Sequence, residues 1–177
     1  MVIGVGVITL VAQSYYPRHL TIMDRAALYR ELTHLLTLIT GGTILGLLFC
    51  RLGLGLIFPQ FSGAASSSAV LLISGVPLCL CTWLIPLVIA RSERPWLESL
   101  IMFGIVLSSL YAMMQLGSRY GIVGQAWGCI PPALMMLGLQ LHLVAYNKFL
   151  LPAAALRLWG SSVLACGLAG AVWYVTF

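Results

Sequence analysis

The chain has 177 residues, 61% of them hydrophobic and 7% charged, with a formal net charge of +5. Soluble domains carry roughly a quarter charged residues, so this composition excludes one and places the chain in a membrane. The positive balance does not signal nucleic acid, because the basic residues are scattered between apolar stretches and phosphate contacts need cations clustered on one face.

Residues 1–16 are apolar but have no basic leading region, which argues against a cleavable signal peptide. Crossing roughly 30 Å of hydrocarbon takes about 20 apolar residues. This stretch is shorter, and reads as the tail of a longer helix, a short N-terminal span. Segment 17–32 is polar. Within it, 21–32 reads as a short interfacial helix. Thr21 and Asp24 resemble a capping box with Asp in place of Glu, and Leu28 and Leu32 repeat on one face, leaving Arg25 and Glu31 for water or headgroups. Five full spans follow, at 33–58, 68–90, 98–117, 121–143 and 157–176. The predicted fold is an all-α polytopic transmembrane bundle, one domain over 1–177, with short connections.

Charge sets the orientation. From Thr33 onward the chain holds eight charged residues, and seven lie at or near junctions between apolar stretches. Lys and Arg carry the topological weight. Connection 17–32 holds Arg18, Arg25 and Arg30, connection 91–97 holds Arg91 and Arg94, and connection 144–157 holds Lys148 and Arg157. The alternate connections hold none (59–67) and Arg119 alone (117–121). The three basic connections are expected on the cytoplasmic side of the cell inner membrane, with both termini outside.

Backbone breakers fall inside three spans: Gly41-Gly42, Pro77 with Pro86, and Pro131-Pro132. Each proline frees a carbonyl, and in hydrocarbon that carbonyl needs a protein or water partner. Interrupted spans of this kind occur at transporter binding regions, and proline kinks are also common in membrane helices at large. Small residues recur four apart at Gly42 and Gly46, Gly117 and Gly121, Gly124 and Gly128, and Ser161, Ala165 and Ala169, which permits close helix packing.

Arg51 is the exceptional charge, with Leu45-Gly46-Leu47-Leu48-Phe49-Cys50 before it and Leu52-Gly53-Leu54-Gly55-Leu56-Ile57-Phe58 after it. An arginine within a span costs at least about 2.5 kcal/mol on insertion scales and usually faces a cavity or a partner. Two readings stay open: a cation lining an aqueous cavity that holds an anionic group, or a side chain snorkelling to the outer headgroups. Arg119, at the tight turn 117–121, reads first as an interface anchor. Gln115, Gln125 and Gln140 offer hydrogen bonds to sugar hydroxyls or to neighbouring helices. His142 and His34 sit near span ends.

Asp24, Glu31, Glu93 and Glu98 all lie at or beside cytoplasmic connections, so no span carries a central carboxylate for protons, sodium or cationic drugs. Four separated acids make no metal cluster, and there is no GxSxG, HExxH or GxxxxGK[ST]. Enzymatic activity, a catalytic residue, a metal and a cofactor are therefore not expected. The five cysteines, Cys50, Cys79, Cys81, Cys129 and Cys166, are odd in number and apolar in context, and read as packing residues.

Two stretches resemble a known family. One runs through Ser14-Tyr15-Tyr16-Pro17 and Asp24-Arg25-Ala26-Ala27-Leu28 to a span ending Leu54-Gly55-Leu56-Ile57-Phe58. The other is Arg119-Tyr120-Gly121-Ile122-Val123-Gly124-Gln125-Ala126-Trp127-Gly128. Together they resemble the second half of polysaccharide or lipid-linked oligosaccharide flippases of the multidrug/oligosaccharidyl-lipid/polysaccharide exporter superfamily, with Gln125 departing from that family's usual small residue. The segment 66–90, with Ala69, Pro77 and the basic end at Arg91, fits the family's intervening span. The resemblance implies one six-helix lobe of two around a cationic cavity for a lipid-pyrophosphate-linked glycan. It makes Arg51, Arg119, Gln115 and Gln125 the candidate substrate-binding residues. It also implies membrane lipid and lipid-linked oligosaccharide as partners, and a second lobe or another copy of the chain to close the cavity. The alternatives are a truncated, non-transporting remnant or scaffold, and a different small-molecule exporter.

Overall fold

The computed structural model describes residues 25–57, 63–91 and 95–177. Five helices account for almost all of them: α1 (Arg25–Ile57), α2 (Ala65–Arg91), α3 (Pro95–Trp127), α4 (Ile130–Tyr146) and α5 (Pro152–Thr176). No strand occurs among the described residues, as the hydropathy pattern leads one to expect. Four helices, α1, α2, α3 and α5, are long and apolar enough to cross a membrane, and α4 is a shorter apolar helix of 17 residues. The short first span expected over 1–16 and the Thr21–Asp24 capping box lie outside the described residues.

The interfacial helix expected over 21–32 is not a separate element in its described part. Residues from Arg25 continue without interruption into the apolar stretch, giving one helix of 33 residues. The reason is local: between Arg25 and Thr40 there is no glycine or proline to stop the backbone ladder. At 1.5 Å per residue α1 is about 50 Å long, well beyond the hydrocarbon thickness.

The tight turn expected at 117–121 lies inside α3, at Gly121, whose backbone (φ 65°, ψ −151°) is non-helical. Only glycine adopts that conformation without a Cβ penalty. The chain reverses there. A Cβ on Gly124 would lie 2.7 Å from the Cβ of Tyr120, and one on Gly128 would lie 2.9 Å from the Cα of Met113. The glycines at four-residue spacing thus let the two arms of the hairpin meet backbone to backbone. The returning arm is interrupted at Gly128-Cys129, where α4 begins with prolines at its first turn. Pro131 and Pro132 cannot bond back to the carbonyls of Trp127 and Gly128, so the span expected over 121–143 is a short arm followed by a helix.

α2 is the centre of the bundle, touching all four other helices. Around it α1, α4 and α5 close a ring with α2 itself, and α3 lies outside against α2 and α4. Residues Ile73, Val76, Leu84, Leu137 and Ala169 at the junctions are fully buried. Pro77, also buried, has no N–H for the carbonyl of Ile73, and the thiol of Cys166 from α5 takes that acceptor at 3.8 Å. Trp173 Nε1 donates to the Ser66 carbonyl at 3.2 Å. The two pairs step oppositely along α2 and α5, so these helices run antiparallel. The Trp159 indole donates to the Leu134 carbonyl at 3.0 Å, reaching it over Gly138, where a Cβ would stand 3.0 Å from that nitrogen.

α4 ends in a Schellman arrangement. Phe149 N–H donates to Val144 O and Lys148 N–H to Ala145 O, both at 3.0 Å, with Lys148 left-handed at φ 62°. Val144 and Phe149 are both buried, the apolar contact that accompanies this cap.

Candidate functional site

The alternation of helix directions sorts the charges. Ile57, Ala65, Gly121 and Thr176 gather at one end of the bundle, and Arg25, Pro95, Tyr146 and Pro152 at the other. Arg25, Arg30, Lys148 and Arg157 belong to the second end, so the connections that hold them lie on one side of the bundle. At the opposite end Trp127 and Trp173 meet edge to face, 5.3 Å between centroids and 83° between planes, and Phe177 stacks on Trp173. Such aromatic clusters belong at a membrane–water boundary.

Arg51 is exposed on α1, six residues before its end at Ile57. At 100° per residue, Thr33, Thr37, Thr40 and Arg51 fall within about 60° on one flank of that helix. This flank turns toward α5: a cleft of about 590 Å³ between the two helices is lined by Thr37, Thr40, Gly41, Ser161, Leu164 and Leu168, among others. The three threonine hydroxyls donate to carbonyls one turn back, those of Tyr29, Thr33 and Leu36. Their remaining lone pairs can accept from a ligand.

Gln115, Arg119 and Gln125 are exposed and cluster at the α3 hairpin. Gln125 folds across Gly117: a Cβ there would come within 2.9 Å of the Gln125 Nε2. The larger residue at this position therefore occupies the notch that glycine leaves in the opposite arm. Among the described residues α3 and α1 make no close backbone approach, so the fold groups the three hairpin residues with one another and leaves Arg51 apart from them. Tyr111 and Ser108, both exposed, continue the face of Gln115 at four- and seven-residue spacing. Sequence reading passed over them because hydroxyl-bearing residues are common in apolar helices.

Gln140 differs from the other glutamines. It is 1% exposed on α4, and its Oε1 has no hydrogen-bond partner. A side chain so enclosed reaches no sugar, and this acceptor makes no interhelical bond either. His142 is exposed and lines a cleft of about 370 Å³ between α4 and α5 with Trp159. A third cleft, of about 210 Å³, lies between α2, α3 and α4 and is apolar except for Ser109 and Cys129. Among the described residues no three His, Cys, Asp or Glu side chains come together as metal ligands.

No family model, no curated protein and no solved structure matches this chain. The functional reading rests on its residues and their arrangement.

Proposed function

We propose that the chain is one transmembrane lobe of a flippase in the cytoplasmic (inner) membrane. It moves an anionic lipid-pyrophosphate-linked glycan to the outer face by alternating access, together with a second lobe or a second copy. On this reading the two arms of the α3 hairpin belong to separate spans, the second arm continuing through α4, which gives five full spans after the short first one. The observation that carries the reading is Arg51, an exposed cation and the one charged residue of α1 beyond Glu31, in a chain whose four acids all lie near the connections expected to be cytoplasmic. A permanent cation without a central carboxylate suits an anionic cargo and not a cationic one. Arg119, Gln115 and Gln125 supply further hydrogen bonds at the outer end.

A second reading, a non-transporting scaffold or remnant, is favoured by one specific observation: among the described residues α1 and α3 make no close backbone approach, so Arg51 and the hairpin residues form no shared cluster. Complementation separates the two. In a strain lacking its polysaccharide flippase, the chain is expressed alone and with the separate first lobe of a related flippase. Glycan export restored with the added lobe, and abolished by Arg51→Ala at unchanged membrane abundance, is the expected result. Failure in both arms despite confirmed insertion would leave the scaffold.

A further inference from the structure

The α1–α5 cleft has features that the flippase reading does not use. Its α1 flank carries Arg30 about two turns below Thr37, toward the basic end of the bundle. Its α5 wall carries Arg157 one turn below Ser161, and Arg157, Ser161, Leu164 and Leu168 fall within about 60° of one another on that helix. α1 and α5 run in the same direction, since each is antiparallel to α2: Gly46 faces Leu72, and Ile73 meets Cys166. Arg30 and Arg157, both exposed, therefore lie toward the same end of the cleft, below its lining residues.

The two arginines flank the cleft below its lining, and the lining itself passes from hydroxyl-bearing to apolar residues going up. Thr37, Thr40 and Ser161 line it beside Leu36, and beyond them come Ala165, Leu164 and Leu168, the two leucines 74% and 55% exposed. That is the order of groups in a phospholipid: phosphate, ester and glycerol oxygens, acyl chain. Gly41 leaves the wall open, with no atom within 4 Å of where a Cβ would stand.

We infer that this cleft is a binding groove for an anionic membrane phospholipid, with the phosphate held by Arg30 and Arg157 and an acyl chain lying along Leu164 and Leu168. The site goes beyond the flippase reading, because it needs neither a second lobe nor a glycan.

The test uses the full chain purified into phosphatidylcholine nanodiscs doped with phosphatidylglycerol, with retained lipid counted by native mass spectrometry after detergent release. The unaltered chain is expected to retain phosphatidylglycerol in preference to phosphatidylcholine. Charge-assisted bonds to phosphate predict a loss of about tenfold for each of Arg30→Gln and Arg157→Gln. Gly41→Leu tests the groove itself, filling open space with both cations intact, and should abolish the preference. Gly104→Leu, at an equally open position on α3, should leave it unchanged. Preferential retention that survives Gly41→Leu, or that inorganic phosphate displaces, would overturn the inference, as would no preference in the unaltered chain. None of these outcomes depends on glycan export. Complementation can fail while the lipid is retained, and the reverse.

Discussion

Replacing Gly124 by alanine should open the α3 hairpin. The added methyl would lie 2.7 Å from Tyr120 Cβ and 2.9 Å from the Leu116 carbonyl carbon, and it would press on the Leu116 oxygen as well. Carbon atoms settle at about 3.5–4.0 Å, so the arms must separate locally by roughly 1 Å. The obstacles are backbone and Cβ atoms, which cannot swing away as a long side chain would. Overpacking of this kind costs about 1–3 kcal/mol, and here the upper half applies. Alanine recovers about 1 kcal/mol of helix propensity over glycine. The net loss is therefore about 1–2 kcal/mol. Gly104→Ala is the internal standard: no atom lies within 4 Å of its Cβ position, so it should gain up to about 1 kcal/mol. Reversible unfolding by sodium dodecyl sulfate in mixed micelles, followed by circular dichroism, reads both. Equal stability of the two variants would refute the backbone contact on which the reasoning rests.

Gln140→Leu removes a buried acceptor without a partner and fills the same space with carbon. It should raise stability by about 1–2 kcal/mol in that titration, and a decrease would mean that the amide is bonded. Lys148→Gly relieves a left-handed Cβ at the cap of α4 and should stabilise by about 1 kcal/mol. An unchanged midpoint for that variant would show that the cap carries no such strain.

The sequence and the structure agree where backbone chemistry speaks locally. Glycine at 117, 121 and 124 marked the reversal at Gly121, and Pro131-Pro132 marked the break ahead of α4. Polarity alone misled at 21–32: the residues change character near Thr33, but nothing there interrupts the backbone, so the helix runs through. The carbonyl freed by Pro77 was foreseeable and its partner was not, because Cys166 stands 93 residues away in the chain. The candidate site divides in the same way. Arg51 stands out against its apolar flanks, and the threonines at 33, 37 and 40 have helical spacing. The apposition of Thr37 and Thr40 to Ser161 arises only from the pairing of α1 with α5. Gln140 looked like its fellow glutamines because one amide side chain cannot reveal its own burial.

The bond between Ile73 and Cys166 has a consequence for biosynthesis. α2 is inserted with an open acceptor at its proline, and the donor is translated 93 residues later. Trp173, the second α5 donor to α2, is 107 residues from its acceptor. Until α5 arrives, the central helix must borrow water or a lipid headgroup for that carbonyl. The pairings of α1 and α4 with α2 can form before then, but the Ile73 and Ser66 carbonyls find these partners only with the last helix. The bundle stays an open crescent of helices through most of its synthesis and locks when its final helix docks, and a nascent chain stalled before Cys166 would present a polar gap that membrane quality control can recognise.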